Sequence, residues 1–405
     1  MNIKNIKSEF PIFKQKINGK PLVYLDSANS SQKPKVVIDR LSNFYETEFS
    51  NVGRSVHTLA VKATNRFEAT RDMLKRYLNA KHREEIIFTK GATESINLVA
   101  SSFGEKYINE GDEILTTELE HHSNYVPWHF LRKNKGAVIK FAPINKNGEV
   151  EIDEIKKLIS DKTKIIAVTH ISNVTGAVMP IKKIVDIAKE KNIPVLVDGT
   201  QGAPHLEIDM QDIGCDFYAI SCHKMYGPNG LGILYAKKKW LDDLPPYQGG
   251  GGMIDDVTKD SISFADAPTK FEAGTMQTAE VVAFAEAINF IEKLGIKNIA
   301  AHENDVLEYG YEKLQKNNSI NIIGSPKNRG SVLCFTIKGI HPHDIATILD
   351  DEGVAIRAGH HCCQILHDKL GIAATARASI GVYNTKEDID ILCKAIDNCK
   401  KIFQI

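Results

Sequence analysis

Five short apolar runs, spread over the first two-thirds of the chain, constrain the fold more than any other feature of the sequence. They occupy residues 85–89 (EIIFT), 164–169 (KIIAVT), 193–197 (IPVLV), 216–221 (DFYAIS) and 232–235 (GILY). Each is almost continuously apolar, with no polar residue at every second position, as strands buried on both faces of a sheet require. Helix-like segments lie between several of them, such as residues 182–191 (KKIVDIAKEK). Strands alternating with helices predict an α/β fold with a mostly parallel, doubly wound sheet.

The pattern changes after about residue 275. Val281, Phe284, Ile288 and Ile291 recur at helical spacing and predict a core-facing helix. A second helical run covers about 298–315. A strand (331–337), a helix (343–351), short strands near Ala355 and Arg377 and a last helix from Lys386 follow. This reads as a smaller α+β unit. A chain of 405 residues exceeds the usual size of one core. The expected division is a large domain over 20–292 and a small one over 293–405, with 1–19 packing on the latter. The glycine run 249–252 reads as a flexible surface turn.

Composition narrows the function. Lys+Arg and Asp+Glu are both 51, so nothing favours nucleic acid or a membrane surface as partner. No apolar run is long enough to span a bilayer, and the start, MNIKNIKSEFPIF, lacks the apolar stretch of a signal peptide. Seven irregularly spaced cysteines without a C-x-x-C pair argue against a disulfide framework or a zinc ribbon. The expectation is a cytoplasmic protein.

Chemistry concentrates where predicted strands end. Lys224, in SCHK after DFYAIS, leaves a buried strand at the sheet's carboxyl edge, where desolvation can remove its proton and make it a nucleophile. Ser221 and His223 beside it can hydrogen-bond a phosphate. Asp198 and Gln201, in VDGTQ, end another strand. Asp198 can cap the next helix, or it can pair with a protonated pyridine nitrogen. A strand-end Asp about 26 residues before a strand-end Lys is the spacing of a pyridoxal 5′-phosphate (PLP) site. Gly91, Ala92 and Thr93 open a helix whose first amides can face an anion, although a plain threonine cap is the simpler reading. His121 and His122 follow residues 113–117. An imidazole there can stack on a pyridine ring and move protons. Adjacent residues of an extended chain point apart, so a metal held by His121, His122 and His129 is not expected.

The segment from Arg357 to Cys363, RAGHHCC, is the second concentration of reactive groups. It reads as an exposed turn holding a thiol among basic groups, which favour the thiolate. Arg377, in ATARASIG, can grip a carboxylate with its guanidinium fork, or form a surface ion pair.

Together these segments resemble the group II cysteine desulfurases, the SufS and selenocysteine lyase type of class-V aminotransferases, which are fold-type I PLP enzymes. The likeness runs from YLDSANSSQKP (24–34) to RASIGVYNT (377–385) through GATESIN, EHHSNYVPW, SNVTGAV, VDGTQ, SCHKMYGPNG, FEAGT and RAGHHC. The short RAGHHC form points to group II. The resemblance implies conversion of L-cysteine, and also L-selenocysteine, to L-alanine, with sulfur passing to an enzyme cysteine for iron–sulfur cluster assembly. It implies PLP as cofactor, a homodimer, and a SufE- or SufU-like acceptor protein. By residue, Lys224 would carry PLP, Asp198 would face its ring nitrogen, Gln201 its ring hydroxyl, and His121 its ring face. Ala92, Thr93, Ser221 and His223 would hold the phosphate, with Thr275 reaching in from the other subunit. Asn173, Arg357 and Arg377 would bind the substrate carboxylate, and Cys362 would take the sulfur. Other PLP chemistry on this fold, such as transamination, and a carrier role without catalysis are the rival readings. The chain departs from the family pattern at Gly53-Arg54-Ser55, Asn29, Met276 and Cys363.

Overall fold

The apolar runs become strands of one seven-stranded sheet. The computed structural model describes residues 1–53 and 55–404, so Arg54 of the Gly53–Ser55 departure lies outside the described residues. The strands are β1 (Ile86–Thr89), β2 (Glu113–Thr117), β3 (Val138–Ala142), β4 (Thr163–Thr169), β5 (Val195–Asp198), β6 (Phe217–Ser221) and β7 (Gly232–Ala236). Their order is β1-β7-β6-β5-β4-β2-β3. Neighbours from β6 to β3 are parallel, and β7 alone runs against its two neighbours. Edge strand β3 escapes a search for apolar runs because Lys140 interrupts it and Val138 is exposed.

Successive side chains of each strand enter opposite layers. In β4, Ile166 and Val168 join one apolar core while Ile165 and Ala167 join the other. The helix Ala92–Tyr107 covers the second face with Ile96, Val99 and Phe103. Helices Thr58–Tyr77, Ile181–Glu190 and Thr278–Leu294 cover the first with Phe67, Ile184 and Phe284. Full burial of each such side chain contributes about 1.5–3 kcal/mol before chain entropy is charged against it. That two-sided burial is why the runs show no alternation.

The helix Thr278–Leu294 stops at Gly295, whose φ of 79° ends one helix and starts the next, Ile296–Gln315. A second, fully antiparallel sheet follows: β8 (Ile320–Ile322), β9 (Val332–Ile337), β10 (Arg357–Gly359) and β11 (Thr375–Ser379), in the order β8-β9-β11-β10. Its core joins Leu333 and Phe335 to Leu307, Leu349 and Leu392 of three helices. The last helix, Lys386–Ile402, starts at a capping box between Thr385 and Asp388. The amino-terminal segment lies at the seam of the two sheets, where the Phe10 ring meets Tyr226, Phe290 and Tyr383 edge-on. Residues 249–252 lead into an exposed hairpin, Ile254–Val257 with Ile262–Phe264.

The parallel strands aim their carboxyl ends at one edge, the usual binding edge of a doubly wound sheet. The chain leaving β2, β4, β5 and β6 there carries His121, Asn173, Asp198 and Lys224 to a single place.

Candidate active site

A cavity of about 160 Å³ opens at this edge, lined by Ala92, Thr93, His121, Asn173, Asp198, Gln201, Ser221, His223 and Lys224. Nine sequence-predicted residues therefore come together. Five more line it that sequence reasoning did not assign to the site: Asn29, Ser123, Thr169, Ile171 and Thr200. Ser123 and Thr200 were within reach, since they lie inside the EHHSNY and VDGTQ segments.

Lys224 sits on a short 3-10 turn directly after β6. Burial pushes its pKa down to about 8, helped by Arg377 and Arg357 and opposed by Asp198. Its amine is therefore much easier to deprotonate than a solvated lysine. Burial likewise holds His121 at about 3 and His223 at about 4, so both are neutral imidazoles. Ser123 N donates to His121 Nδ1 at 3.1 Å, which leaves the His121 proton on Nε2. Ser123 Oγ also bonds Thr93 Oγ1 at 2.8 Å.

Ser221 Oγ accepts from Ala92 N at 2.9 Å and joins the end of β6 to the start of the helix Ala92–Tyr107. The cap residue, Gly91, has no side chain to accept from that helix, so beyond Ala92, which Ser221 holds, its opening amides remain for an anion. Gly232 permits this junction: a Cβ there would stand 2.3 Å from Gly91 Cα.

On the other side, Asp198 is buried, and its Oδ1 accepts from Thr200 N at 3.0 Å. Burial raises its pKa, and among the described residues it forms no ion pair. The Thr200 side chain as well as its amide opposes that rise by favouring the ionised carboxylate. Gln201 donates to Ala28 O at 2.7 Å. A buried carboxylate without an ion pair costs free energy unless a ligand satisfies it. These groups suit PLP, which Asp198 would face at the ring nitrogen, His121 at the ring face, Thr93, Ser221 and His223 at the phosphate, and Lys224 at the aldehyde.

Two arginines come from the smaller sheet. Arg357 and Arg377 are register partners across β10 and β11, an arrangement of like charges that costs stability without a counter-ion. Arg377 is 2% exposed, so it forms no surface ion pair. It donates to Asn173 O at 3.0 Å and to Asp26 Oδ1 at 3.3 Å, and its Nε is buried without a partner. Arg357 donates to Asn29 Oδ1, and Asn29 Nδ2 donates to Asp26 Oδ2 at 3.1 Å. Asn29, a departure from the family pattern, thus links the two arginines through Asp26.

The two adjacent cysteines differ sharply. Cys362 is half-buried, while Cys363 is fully buried, with a thiol whose pKa burial raises. Cys363 Sγ donates to Asn173 Oδ1 at 3.0 Å, and Asn173 Nδ2 donates to His361 O at 2.8 Å. The sequence expectation of an exposed turn holds for His360 and partly for Cys362; His361 is 3% exposed. His361 and Cys362 both have positive φ, 52° and 57°, a conformation costing non-glycine residues of order 1–3 kcal/mol each. Thr275 is exposed, and like Arg357, Arg377 and Cys362 it is not among the residues that line the cavity.

Known proteins share this sequence and fold. The aminotransferase class-V family model matches residues 23–392. The chain is 50% identical over 403 residues to a probable cysteine desulfurase of Staphylococcus epidermidis, covering 99% of this chain and 98% of that protein. It is 46% identical to another of Halalkalibacterium halodurans, with 100% and 99% covered. Among solved structures it resembles the Escherichia coli cysteine desulfurase CsdA, with TM-score 0.92, 34% identity and 99% of each chain covered. It also resembles the Thermococcus onnurineus cysteine desulfurase, with TM-score 0.93, 33% identity and 98% of each covered. No helix among the described residues is long and apolar enough to cross a membrane. This chain belongs to the aminotransferase class-V family, and within it to the PLP-dependent cysteine desulfurases.

Proposed function

We propose that Lys224 and Cys362 divide the reaction between them, Lys224 handling protons at the substrate carbon and Cys362 receiving the sulfur. The observation that carries this reading is Asn173, which lines the cavity and holds the turn bearing Cys362 with the same amide.

Bound PLP supplies an electron sink beside the substrate α-carbon. Asp198 keeps the ring nitrogen protonated, and its unpaired, buried carboxylate suits that task. Lys224 Nζ takes and returns the α-proton, which its lowered pKa allows near neutral pH. Arg377, with its unused Nε, and Arg357 bind the substrate carboxylate with Asn173, which fixes the substrate for attack. Cys362 thiolate attacks the substrate sulfur as the carbon–sulfur bond breaks. Sulfur stays on Cys362 as a persulfide, the carbon gains a proton, and L-alanine leaves.

Thr275 is proposed to complete the phosphate site of a second copy, since it is exposed and outside its own chain's cavity. The Cys362 turn is short and pinned, so the persulfide waits until an acceptor thiol enters the cleft. A SufE- or SufU-like protein serving iron–sulfur assembly is the proposed acceptor, in the cytoplasm; L-selenocysteine is a proposed second substrate.

The test is sulfide and alanine release by purified holoenzyme, with mass spectrometry of the trapped intermediate. Stoichiometric alanine in a first-turnover burst, persulfide on Cys362 and faster turnover with added thiol are expected. Alanine formed only with a keto-acid acceptor present would replace desulfuration by transamination.

A further inference from the structure

Beneath the turn that carries Cys362 lies a buried cluster with no part in the chemistry above: Cys334, His361, His367 and Thr375. Thr375 Oγ1 stands at its centre, 2.9 Å from His361 Nε2, 3.0 Å from His367 Nε2 and 3.0 Å from Cys334 Sγ. Thr375 opens β11, the strand that also supplies Arg377.

The protons of this cluster follow from its partners. A carbonyl only accepts, so His367 Nδ1, 3.0 Å from Cys363 O, carries a proton. Burial holds His367 below the usual imidazole range, so the ring is neutral and its Nε2 is an acceptor. That acceptor takes the Thr375 hydroxyl proton. The Thr375 oxygen then receives His361 Nε2–H and Cys334 Sγ–H. Its remaining neighbour, Gly359 O at 3.4 Å, competes for a proton already committed over a shorter distance. His361 is neutral as well, with burial pushing it to about 2, which leaves Nδ1 without a proton; that atom is buried and has no partner. This arrangement accounts for the hydrogen bonds of Thr375 Oγ1 to Cys334, His361 and His367, and it ties β11 to the turn and to the helix Gln364–Leu370 behind it.

The turn needs such ties. His361 and Cys362 are successive left-handed residues, a conformation that persists only where the surroundings impose it. On the cavity side, Asn173 Nδ2 holds His361 O, and His122 N donates to Cys362 O at 2.7 Å. On the opposite side, the side-chain tie is His361 to Thr375.

The geometry points to Thr375 as a positioning residue for sulfur transfer: by bridging His361 and His367 it keeps the His361–Cys362 turn left-handed and so fixes the placement of the Cys362 side chain. This rests on the assignment of Cys362 as sulfur acceptor. A hydroxyl is required and its methyl group is not. Loss of the hydroxyl slows sulfur transfer without slowing the proton chemistry at Lys224.

The experiment compares Thr375→Val and Thr375→Ser holoenzymes with the parent. It measures single-turnover persulfide on Cys362 by mass spectrometry, exchange of the L-alanine α-proton with solvent deuterium, and alkylation of Cys362 by iodoacetamide. In Thr375→Val, persulfide formation slows about tenfold or more, as expected when a reacting group is misplaced, while proton exchange keeps its rate. Its Cys362 alkylates at a changed rate. Thr375→Ser restores all three. If Thr375→Val does not fold, His361→Phe, which fills the ring's place without its donor, shows the same separation of sulfur from proton chemistry. Normal persulfide formation in Thr375→Val, equal damage in Thr375→Ser, or parallel loss of proton exchange overturns the inference alone. Persulfide mapped to Cys363 in the parent enzyme overturns the Cys362 assignment and the inference together.

Discussion

The cavity wall and the turn that bears Cys362 are built on opposite principles. The wall formed by the large sheet leaves polar groups open: among the described residues Asp198 forms no ion pair, and past Ala92 the opening amides of the helix have no side-chain cap. In the Cys362 turn nearly every polar group is engaged, with His361 O, Cys362 O and Cys363 Sγ all held from outside the turn. The first region is prepared to take up a ligand, and its open groups are what that ligand satisfies. The second is prepared to stay still, so that one thiol is held in a conformation its own backbone disfavours. Chemistry that changes the substrate carbon belongs to the first region, and chemistry that moves sulfur to the second.

Variants can separate the two. The largest effect is expected from Lys224→Ala, which abolishes turnover and leaves no borohydride-reducible link to PLP; residual desulfuration would place the proton chemistry elsewhere. The intact lysine gives a pH signature. Its amine is charged below about 8 and neutral above, and only the neutral form attacks an aldehyde. Cofactor uptake by stripped enzyme should therefore quicken as pH rises through about 8, and a rate independent of pH between 6 and 9 would contradict the burial argument.

Cys362→Ser should stop sulfide release as completely but keep α-proton exchange, which is the comparison in its cleanest form. Loss of both activities in this variant would merge the two regions. Asp198→Ala removes a charge-assisted bond worth ~1.5–3 kcal/mol, so proton exchange should fall about tenfold to a hundredfold, with weaker retention of PLP by absorbance.

A smaller effect is expected at the seam. Asn29→Ala frees Arg357 from its tie to Asp26 and should change KM for cysteine a few-fold with little change in kcat, a split that steady-state kinetics reads directly. Cys363→Ala should be the mildest. It leaves Asn173 Oδ1 without its donor, at a cost of about 1 kcal/mol in thermal stability, and the enzyme remains active. An inactive Cys363→Ala would mean that sulfur passes through the buried thiol.

The open wall was the more legible region in the sequence. Lys224, Asp198 and Thr93 each stand at or just past the end of a strand that an apolar run announces, so local pattern placed them at one sheet edge. The held region was less legible because its contacts join distant positions. Arg377 reaches Asp26 and Arg357 reaches Asn29 across more than three hundred residues, which no periodicity encodes. RAGHHCC marked a reactive segment, but the opposite fates of Cys362 and Cys363 depend on two left-handed residues that neither glycine nor asparagine announces. Thr375 gave no signal at all, since a threonine on a short strand is ordinary until His361 and His367 close on it.

The reversed direction of β7 has a consequence for motion. Because β6 and β7 are antiparallel neighbours, residues 222–231 join two paired strands at one end, and Cys222 N is bonded to Leu231 O at 3.1 Å. Lys224 therefore lies on a closed loop within the sheet and not on a long crossover to another layer. Freeing it would require unzipping β7 from β1 and β6 together, an opening close to global unfolding. In hydrogen exchange, the amides of β6 and β7 should be among the last to take up deuterium, while the exposed hairpin at 254–264 exchanges early.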